Sequence, residues 1–338
     1  MLSEYKFGEF HIECFLGEGA MGRVFRARQT SLDRPVALKL LSETSDPEFT
    51  ARFYREARAA ARLVHANIIQ IYTVGEQGGT PFFAMEYVDG LDLDKLLLDG
   101  GKLSHDELVE ITRSVTRALG AAQEHQIVHR DIKPANVMIS RAGEVKITDF
   151  GVAKPVTGHD ITGSGLIVGT PYYMSPEQGS GVPIDCRSDI YSLGCMLYHC
   201  ICGQPPFEAN EMAEVIRMHK QDTPRPPRDY RPDLHEVLEQ ICLKMLQKDP
   251  AQRFQKPQEV LEMLRRVPTD AAAGEASLAR RAAESLDCER QNEAQVLMRS
   301  TLVKQPAADS SALLDALPKE DGPKWVLQED ASENKDAG

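Results

Sequence analysis

The sequence predicts an α+β protein of two lobes, a small β-rich lobe followed by a larger, mainly helical lobe. The first observation is length, since 338 residues are too many for one compact core and suit two packed lobes. The second is a change of pattern after Asp89, where alternating apolar residues give way to helical spacing. The third is a drift to acidic, low-complexity sequence after Pro268, which predicts a tail.

Short strands with turn residues between them form the small lobe. Alternation in FHIECFL, GRVFRAR and PVALKLL predicts the first three strands of an antiparallel sheet. Asp46 and Pro47 then supply an N-cap and a first-turn proline, and apolar residues at helical spacing continue a helix to Val64. The segments NIIQIYTV and PFFAMEYV, separated by EQGG, add two more strands.

Helical patterns dominate the second lobe. DLDKLLLD and HDELVEITRSVTRALGAAQEHQ come first, and further helices are predicted near 188–202, 210–220, 233–247 and 257–266. Between them, the β-like pieces NVMIS and EVKIT place residues 129–151 on loops near the lobe junction. The acidic tail, 268–338, is predicted to be largely disordered with one helix over 275–302, for which a solvated charged surface is favoured over docking on the body.

Composition excludes several classes of protein. The formal charge of −12 argues against nucleic acid or an anionic membrane as a partner. Seven cysteines without a CxxC pair predict reduced thiols, no zinc site and a cytoplasmic location. The N-terminus lacks the pattern of a signal peptide, and the most apolar stretch, 190–203, is too short to span a membrane.

The stretch LGEGAMGRV carries three glycines, Gly17, Gly19 and Gly22, and leaves two explanations open. Glycines at this spacing let backbone N–H groups approach a polyphosphate that side chains would block. An ordinary turn would use them as well. A dinucleotide site is excluded, because here the glycine loop joins two strands and does not open a helix.

Lys39, in VALK, lies inside an apolar strand, where its charge needs an anionic partner. For an isolated lysine, the better explanation is an edge position with the stem on the sheet and the charge in water. Glu56 weighs against this, because the helical wheel places it between Phe53 and Ala60, on the face turned towards the sheet. Pairing with Arg52 on its own helix is a weaker alternative, so we predict an ion pair between Lys39 and Glu56.

Two further motifs, HRDIKPAN at 129–136 and DFG at 149–151, decide between these alternatives. With them, the sequence resembles the eukaryotic-like (Hanks-type) serine/threonine protein kinases of bacteria, whose signature motifs are known. The match covers 7–267 and runs in order through LGEGAMGRV, VALK, Glu56, HRDIKPAN, DFG, GTPYYMSPE, DIYSLG and Arg253. The resemblance implies a bilobal protein-kinase fold, with an extension at 1–6, a small lobe at 7–88 and a large lobe at 89–267.

The resemblance also implies the transfer of the γ-phosphoryl group of ATP to serine and threonine hydroxyls of proteins. Asp131 accepts or orients the proton of the substrate hydroxyl, and Lys133 steadies the γ-phosphate. Lys39 holds the α and β phosphates and Glu56 fixes its direction. The implied metal ligands are Asn136, which is also counted as catalytic, and Asp149, for Mg²⁺ that Mn²⁺ can replace.

A dry slot between the lobes is expected to hold adenine, with Met85 equally explained as plain core. The implied nucleotide-binding set is Leu16, Gly17, Glu18, Gly19, Ala20, Met21, Gly22, Val24, Ala37, Lys39, Met85, Glu86, Val88 and Met138.

Specificity for serine and threonine is implied by Lys133 together with Thr170 of GTPYY. Arg130 marks the subgroup in which a phosphate on the activation segment pairs with that arginine. Candidate phosphosites in 152–168 are Thr162 and Ser164, followed by Thr157. The expected structural residues are Arg130, Thr170, Glu177 paired with Arg253, and Asp189 as a cap on the catalytic loop.

Departures from the family pattern are small. Ser175 replaces the usual alanine of the SPE motif and threatens nothing, whereas Ala60 stands where a larger apolar residue is common and is expected to loosen the contact with Phe150. Expected partners are protein substrates and a second copy that phosphorylates the first in a transient dimer. The alternative is a catalytically weak pseudokinase scaffold with the tail as docking element, although such proteins usually lack Lys39, Asp131 or Asp149.

Overall fold

The computed structural model describes residues 6–19, 22–41, 47–150 and 171–300. The chain divides into a compact unit of residues 1–290 and a second unit of residues 291–338. In the second unit, residues 291–300 are the end of a helix, and the remainder lies outside the described residues. The first unit combines a β-rich lobe with a helical lobe, which confirms the predicted fold class.

A six-stranded antiparallel sheet with the order β1-β2-β3-β4-β6-β5 forms the small lobe. Its strands are β1 (Lys6–Phe7), β2 (Phe10–Gly19), β3 (Gly22–Gln29), β4 (Arg34–Leu41), β5 (Ile71–Gln77) and β6 (Thr80–Glu86). Helix α1 (Pro47–Ala60) packs across the sheet through Phe53 and Ala57, which are buried with Phe83 in one apolar cluster. The small lobe therefore has its own core, as its alternating strands require.

Two predicted boundaries in this lobe differ from the structure. Helix α1 ends at Ala60, and Val64 is 82% exposed. The strand predicted from Asn67 begins at Ile71, because the preceding residues pair elsewhere: Ile69 donates its N–H to Ile147 O at 2.9 Å. That contact already joins the small lobe to the large one.

The large lobe contains a second antiparallel sheet of three short strands and a set of helices. The strands are β7 (Gly90–Asp92), β8 (Val137–Ser140) and β9 (Val145–Ile147), in the order β7-β8-β9. The helices are α2 (Leu93–Leu98), α3 (His105–Glu124), α4 (Pro176–Ser180), α5 (Cys186–Cys202), α6 (Met212–Gln221), α7 (Glu236–Met245), α8 (Pro257–Leu264) and α9 (Ala271–Ser300).

Helix α5 lies at the centre of the large lobe and is buried on nearly all sides. After its polar first turn, residues 190–201 are mostly apolar on every side, which is the pattern of a helix enclosed by others. Gly194 allows α7 to approach, because a Cβ at this position would lie 2.6 Å from Met245 Cβ. The helix ends at Gly203, whose left-handed φ of 77° suits glycine.

Helix α9 differs from the solvated helix that the sequence favoured. Leu278 and Ala282, four residues apart on one face, are fully buried in the core of the large lobe. Arg281 on the same face places its Nε 3.0 Å from Glu107 Oε1 near the start of α3. The composition of the tail does not reveal this face, because only a narrow stripe of the helix, at residues 274, 278 and 282, is buried.

Candidate active site

One buried carboxylate fixes the backbone of the loop between α3 and β8 by accepting two of its N–H groups. Asp189 on α5 accepts the backbone N–H of His129 at 2.7 Å and that of Arg130 at 2.8 Å. Burial raises the pKa of Asp189 to about 7, against the lowering effect of these two N–H groups. The His129 ring is fully buried, which lowers its pKa, and its Nε2 lies 2.9 Å from Thr148 O.

Three predicted catalytic residues of this loop are in mutual contact. Asn136 Nδ2 donates to Asp131 O at 2.7 Å and to Asp131 Oδ2 at 3.1 Å. Lys133 Nζ lies 2.9 Å from the same Oδ2. A short 3₁₀ turn over Pro134–Asn136 bends the chain back, so the five-residue spacing brings Asn136 to Asp131. Contacts with Asn136 and Lys133 thereby fix the orientation of the Asp131 carboxylate.

Lys39 of the small lobe meets Asp149 of the large lobe. Lys39 Nζ lies 2.7 Å from Asp149 Oδ1, with the side chains 8% and 32% exposed. Asp149 follows β9 with a φ of 55°, a left-handed conformation that is costly for aspartate and is concentrated at functional sites. The Glu56 side chain lies outside the described part of the chain, so its predicted pairing with Lys39 stays a prediction.

Oxygen donors suited to a hard cation come together beside this pair. Thr148 donates its N–H to Asn136 O at 3.0 Å, which places Asn136 beside Asp149. Because Asn136 Nδ2 faces Asp131, its Oδ1 is the atom that can serve a cation, and amide and carboxylate oxygens are the ligands that Mg²⁺ prefers. Within the described ranges, no three His, Cys, Asp or Glu side chains form a metal-binding group. The oxygen donors that are present, one amide and one carboxylate, fit a hard cation.

An apolar cluster lies between the two lobes next to these polar groups. Ala37 on β4 and Met85 on β6 are cross-strand neighbours and are buried. Val24, Val88 and Met138 pack against them, so both lobes contribute to the walls. Leu16, predicted for the same walls, is 44% exposed.

The glycine loop forms the β2–β3 hairpin, in which Gly17 pairs with Val24 and Gly19 with Gly22. A Cβ on Gly22 would lie 1.9 Å from Leu40 O, so the close approach of β4 requires this glycine. Gly17 and Gly19 have no positive φ, and a Cβ on either would meet nothing within 4 Å. Neither turn geometry nor internal packing explains these two glycines. Glu18 pairs with Arg23 at 3.3 Å, and Ala20 and Met21 lie outside the described residues.

A buried ion pair connects α4 to Arg253, which lies in the turn before α8. Arg253 NH1 and NH2 lie 2.6 and 2.9 Å from the two carboxylate oxygens of Glu177. Two contacts here were not predicted from the sequence: Ser188 Oγ donates to Glu177 Oε1 at 2.6 Å, and Gln178 Nε2 donates to Arg130 O at 2.8 Å. Gln178 is the third residue of a helix capped by Ser175. The capping-box pattern of Ser175 and Gln178 is the sequence signal that could have indicated a structural role for Gln178. Thr157, Thr162, Ser164 and Thr170 lie outside the described residues.

A cavity of about 20 Å³ separates α1 from Phe150. Ala60 lines it, as do Ala57 and Phe53 on the same helix. Phe150 is buried and contacts the His129 ring, with 4.5 Å between ring centroids. Ala60 and Phe150 thus line the same cavity. The predicted loosening of the contact between them stays a prediction.

Comparison with known proteins agrees with this geometry. The model of the protein kinase domain matches residues 10–264, and the chain belongs to this family. It is 40% identical over 260 residues to a probable serine/threonine-protein kinase of Clostridium acetobutylicum, covering 76% of this chain and 40% of the relative. It is 40% identical to serine/threonine-protein kinase PknB of Mycolicibacterium smegmatis over 271 residues, 78% of this chain and 43% of PknB.

A third relative is similar beyond the kinase domain. Serine/threonine-protein kinase pkn3 of Myxococcus xanthus is 39% identical over 324 residues, which cover 92% of this chain and 54% of pkn3. The chain thus spans 40% to 54% of the lengths of these relatives. No helix in the described part of the chain is both long and apolar enough to cross a membrane.

Proposed function

We propose that this protein transfers the γ-phosphoryl group of ATP to serine and threonine hydroxyls of protein substrates. The observation that carries the proposal is the meeting of Lys39 and Asp149, 2.7 Å apart across the two lobes, beside the cluster of Asp131 and Asn136. Phosphoryl transfer needs positioning and positive charge more than covalent chemistry, and this cleft offers both.

Each polar group has a separate task in the proposed reaction. Asp131, held by Asn136 and Lys133, accepts or orients the proton of the substrate hydroxyl. Lys133 turns from Asp131 to the γ-phosphate, and Lys39 exchanges Asp149 for the α and β phosphates. Both lysines are paired with carboxylates in the structure, so their charge is already directed into the cleft.

Mg²⁺ bound by Asn136 and Asp149 would neutralise charge on the phosphates, and Mn²⁺ would substitute for it. We propose Mg²⁺ because both ligands are hard oxygen donors. Chelation should abolish transfer, and titration with Mg²⁺ or Mn²⁺ should restore it. Full activity in excess chelator would contradict the metal requirement.

The test of function is labelling of protein substrate from γ-labelled ATP by wild type and by Asp131→Asn. Asp131→Asn should lower kcat by roughly 100- to 10,000-fold, because the proton acceptor is lost, and leave ATP binding in place, because Lys39 and Asp149 are unchanged. Asp229→Asn is the matched control, because Asp229 forms a surface ion pair with Arg225. Equal labelling by Asp131→Asn and wild type would remove Asp131 from its proposed role, and phosphotyrosine as the sole product would overturn the substrate class.

We further propose autophosphorylation in trans, through a transient dimer, at Thr162 and Ser164 and secondarily at Thr157. The Arg130 side chain is exposed, which suits pairing with a phosphate. Wild type mixed with a longer, tagged Asp131→Asn protein should phosphorylate the tagged chain, and peptide mapping should find the sites within 152–168. Labelling confined to the wild-type chain would exclude transfer between copies.

The proposed location is the cytoplasm, where ATP and reduced thiols are abundant. The seven cysteines include no CxxC pair, a pattern that favours reduced thiols. Fractionation of cells that express the full-length protein would test the proposal, and recovery in an extracytoplasmic fraction would contradict it.

A further inference from the structure

Two ion pairs join the β8–β9 hairpin to the connecting segment, defined here as residues 86–89, from the last residue of β6 to the residue before β7. Lys146 on β9 places its Nζ 2.6 Å from Glu86 Oε1, with the side chains only 13% and 25% exposed. Arg141, in the hairpin turn, donates its backbone N–H to Asp89 O at 2.9 Å, and its Nε lies 3.4 Å from Asp89 Oδ2. The hairpin therefore holds the connecting segment at its first and its last residue.

The same hairpin forms part of the slot between the lobes. Met138 on β8 packs on the apolar cluster together with Val88 of the connecting segment. Strands β7 and β8 approach closely, since a Cβ on Gly90 would lie 2.1 Å from Ile139 O. The position of the hairpin thus determines how the backbone of the connecting segment lies relative to the apolar walls.

Helix α9 supports the hairpin from the opposite side. The hairpin turn contains Gly143, with a φ of 86°, where a Cβ would lie 2.1 Å from Glu275 O on α9. Arg141 NH2 lies 3.0 Å from Asp287 Oδ1, so the Arg141 guanidinium joins Asp89 to α9. The helix begins after residue 264, where the match to the kinase domain ends.

Helix α9 is itself anchored independently of the hairpin. Arg281 NH2 donates to Lys102 O at 2.7 Å, and Arg281 Nε lies 3.0 Å from Glu107 Oε1, in a side chain that is 1% exposed. Leu278 is fully buried on the same face. A helix fixed in this way can hold the hairpin turn in place.

We infer that Lys146 and Arg141 are positioning residues for the nucleotide base, and that α9 takes part in nucleotide binding by supporting Arg141. The inference rests on the proposed function and on the implied nucleotide-binding set, which includes Glu86 and Val88 of the connecting segment. It takes backbone groups of this segment as the hydrogen-bond partners of the base. Such hydrogen bonds weaken steeply with displacement and misalignment. A segment released at Glu86 or Asp89 would therefore lose contact with the base and leave the phosphate contacts unchanged. Lys146 carries the larger effect, because its pair is the less exposed.

The first test compares Lys146→Met with Lys256→Met, a lysine exposed at the start of α8. Lys146→Met should raise the KM for ATP about fivefold with kcat within about twofold, because only base binding weakens. The dissociation constant of adenosine, measured by calorimetry, should rise by the same factor, and that of tripolyphosphate should not change. Lys146→Arg should restore the wild-type value. Unchanged adenosine affinity, or an equal loss for tripolyphosphate, would overturn the inference.

Glu86→Gln tests the same pair from its other side if Lys146→Met folds poorly. It should weaken adenosine binding by a similar factor, and wild-type affinity in this variant would also overturn the inference. Failure of the proposed function is distinguishable, because a wild type that binds adenosine but transfers no phosphate contradicts only the proposed function. A wild type that binds neither adenosine nor ATP contradicts both.

The second test concerns α9 and uses Asp287→Ala with Glu284→Ala as control, since both carboxylates are exposed on this helix and Asp287 contacts Arg141. Asp287→Ala should weaken adenosine binding about twofold to threefold, as expected for loss of an exposed ion pair. The effect should vanish in an Arg141→Ala background, because the two residues act through one contact. Identical affinities of the Asp287→Ala and Glu284→Ala proteins would exclude α9 from nucleotide binding.

Discussion

Loss of the Arg253 guanidinium should destabilise the fold of the large lobe. Besides its two contacts with Glu177, Arg253 donates to Gln247 O at 2.7 Å, to Arg187 O at 2.9 Å and to Lys248 O at 3.0 Å. Arg253→Met removes every one of these bonds and leaves the Glu177 charge in a site that is 7% exposed. Breaking a buried pair from one side costs about 3 to 5 kcal/mol. A loss of that size is a large part of the roughly 5 to 15 kcal/mol that stabilises a folded domain.

In a domain of this size, where 1 kcal/mol shifts Tm by about 2 to 4 °C, that loss corresponds to a fall in Tm of about 6 to 20 °C. The measurements are thermal melts and urea titrations of wild type, Arg253→Met and the double variant Glu177→Gln/Arg253→Met. The double variant should be more stable than Arg253→Met, because no charge is left buried without its partner. A loss below about 1 kcal/mol in Arg253→Met, or a double variant no more stable than the single one, would refute this reasoning.

The ion pair between Glu177 and Arg253 should also make the free energy of unfolding depend on pH. Burial raises the pKa of Glu177, but hydrogen bonds from Arg253 and Ser188 outweigh it, and the pKa is lower than usual. A carboxylate with a lowered pKa contributes stability above its ordinary pKa, and this contribution is lost as the pH falls through the folded-state value. The gap in unfolding free energy between wild type and Arg253→Met should therefore narrow below about pH 4.5. A gap that is constant from pH 7 to pH 3 would contradict it.

Three further substitutions separate structural from ligand-directed roles. Gly22→Ala should lower the free energy of unfolding by about 1 to 3 kcal/mol because its Cβ has no space beside β4. Gly19→Ala should leave Tm unchanged and weaken ATP binding, and equal Tm losses in these two variants would contradict the distinction. Burial lowers the pKa of His219 from 6.5 to about 3, so between these values the unfolded chain binds a proton that the folded chain does not. The free energy of unfolding therefore decreases as the pH is lowered from 6.5 to about 3. His219→Asn should remove up to about 1.4 kcal/mol per pH unit from that slope in urea titrations at pH 6 and pH 4, and unchanged slopes would exclude His219 as its source.

Local contacts of the candidate site were predictable from the sequence. The six residues from Asp131 to Asn136 contain a proline that starts a tight turn, so the contact between their two ends needs little help from the rest of the fold. The contact between Lys39 and Asp149 joins residues 110 positions apart. The lysine in an apolar strand indicated only that a partner was needed, and the resemblance to kinases supplied the rest.

Contacts made by charged surface residues were not predictable. Lys146 lies 60 positions from Glu86 and Arg141 lies 146 positions from Asp287, and nothing in the spacing of these residues marks them as partners. The same is true of α9, whose composition is that of a solvated helix although Leu278 and Ala282 are fully buried. Burial of a few residues on one face is enough to dock a helix that is otherwise charged.

By itself, the sequence determined the two-lobed α+β architecture and the local turn from Asp131 to Asn136, because hydrophobic periodicity and short-range backbone geometry are properties of neighbouring residues. Only the tertiary structure decided which lysine meets which carboxylate, where α9 lies, and that Gly22 faces β4 whereas Gly17 and Gly19 face open space. These outcomes depend on how distant elements pack, since a charge or a glycine takes its role from what surrounds it in space.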